Sequence, residues 1–150
     1  MENAAALSID LNKEADNGVT AFYNACIKGH SEVVKIFMDN AAALIIDLGK
    51  EENNGVTAFH IACLKGHSDV VKTFLENATA LSIDLNVKGN YGKTAFELAC
   101  SQDHKNVVEL LMSSADFKKK LKYQDFKMVT SYYPLVFMGR RKILDVWGEF

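Results

Sequence analysis

One eleven-residue phrase occurs three times in this 150-residue chain. It reads TAFYNACIKGH from Thr20, TAFHIACLKGH from Thr57 and TAFELACSQDH from Thr94. Successive copies lie 37 residues apart, and their flanks keep the same register. NAAALSIDLNKEADNG begins at Asn3, NAAALIIDLGKEENNG at Asn40 and NATALSIDLNVKGNYG at Asn77. A fixed period of this length means stacked units, because one such unit cannot bury its own apolar face.

Each unit reads as two helices. The first covers residues 21–28, with Phe22, Ala25 and Cys26 on one face. Small residues at Ala25, Ala62 and Ala99 let neighbouring helices approach closely. Gly29 and Gly66 end the first helix, as glycine does in the left-handed position that follows a helix. Ser31 or its neighbour is expected to cap the second helix, with Glu32 in its first turn. The apolar positions of that helix are Val33, Val34, Ile36, Phe37 and Met38. Beyond Ala43, IDLGKEENNG and IDLNVKGNYG are rich in glycine and asparagine and read as a loop turning into the next unit.

The segments NGVTAFYNACIKGHSEVVKIFM, NGVTAFHIACLKGHSDVVKTFL and YGKTAFELACSQDHKNVVELLM resemble ankyrin repeats. The family pattern is G-x-T-P-L-H-x-A-A-x-x-G-H-x-x-V-V-x-L-L-L, and three full copies carry it. The resemblance implies an all-α solenoid of stacked helix-turn-helix units, with hairpin-like loops on one side. Several positions depart from the pattern. Alanine (Ala21, Ala58, Ala95) stands for the proline, and phenylalanine (Phe22, Phe59, Phe96) for the leucine. Only His60 keeps the motif histidine; Tyr23 and Glu97 replace it, which interrupts any threonine–histidine network. Asp103 replaces the glycine between helices and is expected at positive φ. The period exceeds the family's usual length of about 33 by roughly one helical turn. We place the extra residues at the end of the second helix, near Ala41–Leu44, Ala78–Leu81 and Ala4–Leu7.

The divisions expected are a partial N-terminal unit at 1–15, repeats at 16–52, 53–89 and 90–125, and a degenerate capping unit at 126–150. The last follows from laying Thr130 on Thr20. Tyr132 then meets Phe22, Gly139 meets Gly29 and Trp147 meets Phe37. Terminal units are expected to be atypical, because one of their faces meets water.

Formal net charge is −2, so nothing draws the chain as a whole to nucleic acid or an anionic membrane. The charge is uneven, at −7 over residues 1–116 and +5 over 117–150. The basic runs KKKLK (Lys118–Lys122) and RRK (Arg140–Lys142) read as solvated surface; nuclear import or an anionic partner is the alternative. The longest purely aliphatic stretch, Ala41–Ile46, is far short of a membrane span. Three cysteines, an odd number, argue against a disulfide framework and for a reducing compartment. A cytoplasmic monomer is expected, with the nucleus as the alternative.

Cys26, Cys63 and Cys100 each precede a histidine (His30, His67, His104) by four residues. Gly29 and Gly66 end the helix between them, so the pairs do not share a helical face. Helices in contact lie about 8–10 Å apart, whereas zinc ligands sit at about 2.0–2.3 Å. The cysteines therefore read as small buried hydrophobes, and the histidines occupy a family structural position. No nucleophile–base set and no phosphate-binding loop is present, so neither an enzyme, a cofactor nor a metal is expected.

What varies between units is then the candidate surface. In ankyrin repeats, partners are usually met by loop tips and by the exposed face of each first helix. Carried over, unit one offers Asp16, Asn17, Val19, Ile27 and Lys28. Unit two offers Asn53, Asn54, Val56, Leu64 and Lys65, and unit three Asn90, Tyr91, Lys93, Ser101 and Gln102. Ile27 and Leu64 flanked by lysines suit a protein-binding patch with a polar rim, and Tyr91 is the expected hot spot. The resemblance implies a protein partner for an adaptor or stoichiometric inhibitor, with a structural array as the alternative.

Overall fold

A computed structural model describes residues 10–119, apart from 17, 53, 90 and 91. The expected capping unit at 126–150, the segment Ala4–Leu7 and most of the two basic runs fall outside the described residues.

Every unit begins with a threonine. Thr20, Thr57 and Thr94 are extended, and their hydroxyls accept from the amides of Tyr23, His60 and Glu97. This satisfies one of the donors that a helix start leaves unpaired. The first helices follow as α1 (Ala21–Lys28), α3 (Ala58–Lys65) and α5 (Ala95–Ser101). The second helices are α2 (Ser31–Leu44), α4 (Ser68–Asn77) and α6 (Lys105–Ser113). A short α7 (Ala115–Lys118) completes seven helices among the described residues. First helices pack on first helices and second helices on second helices, which gives two parallel layers.

The core runs between these layers. Phe22, Phe59 and Phe96 are buried in successive units, as the spacing predicts. Phe74 of α4 lies 5.9 Å from Phe22 and 5.1 Å from Phe59, so one ring ties the first unit to the second. Fully burying each such ring contributes roughly 1.5–3 kcal/mol, and each edge or tilted pair about 0.5–1.5 kcal/mol more. Ala62 and Ala99 are fully covered, and Ala25 is 6% exposed, consistent with close helix approach.

Each first helix ends against the next unit. Gly29 and Gly66 adopt φ of 72° and 75°. Space also requires glycine there. A Cβ on Gly29 would lie 2.7 Å from His67 Nδ1, and one on Gly66 2.6 Å from His104 Nδ1. The same rings reach back with Nε2 to the carbonyls of Ile27 (2.9 Å) and Leu64 (2.8 Å). Asp103 takes the glycine position in the third unit at φ 58°, as expected.

Three expectations about the second helix need correction. Val33 and Ile36 are exposed, at 42% and 46%, and α2 instead buries Val34, Phe37, Met38 and Ala41. Ser31 does not cap: His30 holds the N-cap position, with no side-chain capping bond. The extra turn extends α2 to Leu44, but α4 stops at Asn77, and 78–82 form a turn in which Leu81 N bonds Asn77 O. Thr79 stands there where α2 has Ala42, and a β-branched residue is the weaker helix former. Ile45 follows α2 at φ 51° and is 82% exposed, an uncommon setting for a β-branched residue. Asn12 clamps it: Nδ2 donates to Ile45 O at 2.7 Å, and Oδ1 accepts from Asp47 N at 2.8 Å.

The glycine–histidine contact predicts a coupled effect on stability. Gly66→Ala is expected to cost at least about 1 kcal/mol, from the left-handed backbone plus the clash. Combining it with His104→Ala removes the steric part. Urea unfolding of both single variants and the double variant should then show a coupling of about 0.5–3 kcal/mol. Strict additivity would mean that the ring and the glycine do not constrain each other.

Candidate functional site

The loop tips are built by a recurring pair of backbone bonds. Ala15 N donates to Val19 O and Gly18 N to Ala15 O; Glu52 N donates to Val56 O and Gly55 N to Glu52 O. Gly89 N to Lys93 O and Gly92 N to Gly89 O repeat the arrangement. Gly18, Gly55 and Gly92 supply the positive φ these tight tips need. Antiparallel bridges Glu51–Thr57 and Lys88–Thr94 close the second and third hairpins.

The tips place the expected site residues unequally. Asp16, Asn54 and Lys93 are exposed; Asn17, Asn53, Asn90 and Tyr91 lie outside the described residues. Val19 is only 5% exposed and belongs to the core. Val56 is half-buried and packs against that core. Neither valine is a free surface contact, because the return limb of the hairpin turns this position inward before the capping threonine. Lys93 occupies the same position in the third unit but is solvated.

The first-helix face carries the rest. Lys28, Lys65, Ser101 and Gln102 are exposed. Ile27 and Leu64 are half-buried rather than free, and Ile27 packs on the core. One turn earlier lie Asn24, Ile61 and Leu98, exposed in the first case and half-buried in the others. Sequence reasoning missed this row. The signal was that the position differs in every unit between fixed neighbours, Phe22 and Ala25 in the first unit. The face is therefore an apolar strip over Ile61, Leu64 and Leu98, with two lysines along its edge.

Beneath the tips the three units solve one problem in three ways. His60 Nδ1 accepts from the Thr57 amide at 3.2 Å, which leaves the ring proton on Nε2. Glu97 Oε2 accepts from the Thr94 amide at 2.7 Å, so a carboxylate rebuilds the cap that the histidine change was expected to break. Tyr23 cannot reach back. Its hydroxyl is buried and makes no hydrogen bond of full geometry among the described residues; burial first, then the charge and close approach of the Glu52 carboxylate, push its pKa up. His60 Nε2 is likewise buried without a hydrogen bond of full geometry among the described residues, although the Val87 and Lys93 backbone lies close enough to act on the ring. Burial lowers the His60 pKa below 6.5, against smaller opposing effects from backbone groups of Val87 and Lys93 and from Glu51.

Cys26, Cys63 and Cys100 are free and buried, and burial raises the thiol pKa of Cys26 and Cys63. A buried thiol held protonated is a poor nucleophile. The Cys–His pairs diverge, since His67 and His104 turn toward the preceding unit's carbonyls. Among the described residues no cluster of three His, Cys, Asp or Glu side chains is placed to hold a metal ion, and no helix is long and apolar enough to cross a membrane. The extra turn leaves an open cleft of about 540 Å³ between units one and two, lined by Leu48, Phe59, Phe74 and Ile83.

The family model described as ankyrin repeats, in three copies, matches residues 3–81 and again 41–122. No curated protein matches the chain at a significant level.

The depressed His60 pKa makes a signed prediction. Below pH 6.5 the unfolded chain takes up a proton that the folded chain refuses, so stability falls as pH drops below that value. Wild type should lose more melting temperature between pH 7 and pH 5 than His60→Gln. Equal losses would mean that this ring does not sense pH.

Proposed function

The chain belongs to the ankyrin-repeat family, and on that premise we propose that it is a protein-binding module whose partner seats along the first-helix face and the loop tips. Ankyrin repeats are generally protein–protein interaction modules, and the family is typically non-enzymatic. One observation carries the reading for this chain: copies that agree at the buried phenylalanines Phe22, Phe59 and Phe96 and cysteines Cys26, Cys63 and Cys100 differ at Asn24, Ile61 and Leu98 and at Ile27, Leu64 and Ser101. Ile27, Ile61, Leu64 and Leu98 among them are half-buried and apolar, with exposed Lys28 and Lys65 beside them. An interface with an apolar centre and a charged rim has this composition.

We take the partner to be a protein with an acidic rim, bound by a monomer acting as adaptor or stoichiometric inhibitor. Lys28 and Lys65 also stand in the last turns of α1 and α3, where cations oppose the helix dipole. That structural role does not require them on one edge of an apolar strip. Buried free thiols favour the cytoplasm, with the nucleus as the alternative. Unit divisions at 16–52, 53–89 and 90–125, with caps at 1–15 and 126–150, remain our working division, and Tyr91 our proposed hot spot.

The test compares partner capture by wild type with Lys28→Glu/Lys65→Glu, Leu64→Ala and Tyr91→Ala. Leu64→Ala and Tyr91→Ala should each weaken binding by about tenfold or more, and the double charge reversal should slow association. The melting temperature of the lysine variant should stay within about 2 °C of wild type. Wild-type affinity in all three variants would show that the partner uses another surface.

A further inference from the structure

The cleft between units one and two has a counterpart one unit on. The first, of about 540 Å³, is floored by Phe59 and Phe74 and walled by half-buried Leu81, Ile83 and Val87. The second, of about 480 Å³, is lined by Leu75, Ile83, Leu85 and Phe117. Ser82, Ile83 and Asp84 line both, so they form the ridge between two adjoining clefts. The rims carry one sign of charge. Exposed Asp47, Glu51 and Asp84 border the first cleft, and no cation is among its described lining residues. Lys50, beside it in sequence, is paired with Glu14. Asp84 and Asp116 border the second cleft, where Lys119 lies 3.5 Å from Asp116. Local bonds fix two of these carboxylates in place: Asp47 Oδ1 accepts from Gly49 N at 3.1 Å, and Asp84 Oδ1 from Asn86 N at 3.0 Å.

We propose that the two clefts together bind an extended basic segment of another protein, which sets one apolar side chain in each cleft and lysine or arginine against the carboxylates. Apolar walls under an acidic rim select an occupant that is both apolar and cationic. The spacing narrows its conformation. Packed helices lie about 8–10 Å apart, and the clefts repeat with the helix pairs. A polyproline II segment turns once every three residues and rises about 3.1 Å per residue, so side chains at i and i+3 share a face about 9 Å apart. A β-strand spaces same-face side chains about 7 or 13 Å apart and fits neither. The occupant therefore carries apolar residues at i and i+3, with cations between and beside them. Ile27, Ile61, Leu64 and Leu98 line neither cleft, so this surface is separate from the first-helix face and opposite to it in charge.

The test titrates a fluorescently labelled KPLKPLKP peptide with the full chain at low ionic strength and reads anisotropy. Binding with a Kd of about 100 μM or below is expected. KPSKPSKP, which lacks both apolar side chains, should bind at least about tenfold more weakly. KPKLLPKP has the same composition with its leucines adjacent, and it should lose as much. Asp47→Asn/Asp84→Asn can keep both local hydrogen bonds and should weaken binding about threefold or more. Ala42→Trp, at an exposed α2 position lining the first cleft, should weaken it about tenfold. Lys28→Glu/Lys65→Glu should change it by no more than about twofold, which separates this surface from the first-helix face. No binding, equal binding of KPKLLPKP, or a Kd indifferent to the cleft variants would overturn the proposal. So would a gain in affinity from Lys120→Glu/Lys122→Glu, because the clefts would then hold the chain's own basic segment. Sedimentation showing a dimer that Ala42→Trp dissociates would also overturn it, because the occupant would be a second copy.

Discussion

The spacing between units is set by an imidazole lying over a backbone that has no side chain. His67 rests on Gly29 and bonds the carbonyl of Ile27; His104 does the same on Gly66 and Leu64. One contact thereby fixes two things at once. It satisfies a carbonyl that the end of a helix leaves unpaired, and it sets how near the next helix pair can come. The distances that allow Phe74 to reach both Phe22 and Phe59 depend on this approach. In the sequence alignment of the C-terminal segment, the position after Gly139 holds Arg140 rather than histidine. Asp103 stands in the third copy where the first two have Gly29 and Gly66.

The periodicity made the fold legible. A repeated Thr-Ala-Phe fixed the starts of α1, α3 and α5, and glycine fixed the ends of α1 and α3. What escaped it were properties that depend on neighbours rather than on the unit itself. Val33 carries the same residue as Val70 and Val107, and nothing local separates an edge copy from an interior one. Val19 looked like part of a loop tip because its third counterpart is Lys93, yet hairpin geometry folds it into the core. Glu97 looked like the loss of a network until the carboxylate was seen to cap Thr94 directly.

The same separation explains where function can reside. Positions that hold the stack are fixed by volume and hydrogen bonding, so changing them alters the spacing for every unit behind. Positions such as Asn24, Ile61 and Leu98 keep part or all of their side chain in solvent, and their chemistry is free to follow a partner. Tyr23 fills the histidine place with a buried hydroxyl that, like His60 Nε2, makes no hydrogen bond of full geometry among the described residues. An unsatisfied buried polar group of this kind costs about 1–3 kcal/mol. The Glu52 carboxylate is the group that acts on it.

The aromatic bridge through Phe74 also orders events in time. Between the first and second units a ring meets rings on both sides, whereas α6 offers Leu111 at the matching place. In a linear array whose neighbours couple pairwise, folding begins at the strongest junction and spreads outward. The nucleus is accordingly expected to straddle α1, α3 and α4, with the third helix pair zipping on afterwards. Substitutions at Phe74 would then slow refolding, while those at Leu111 would mainly hasten unfolding.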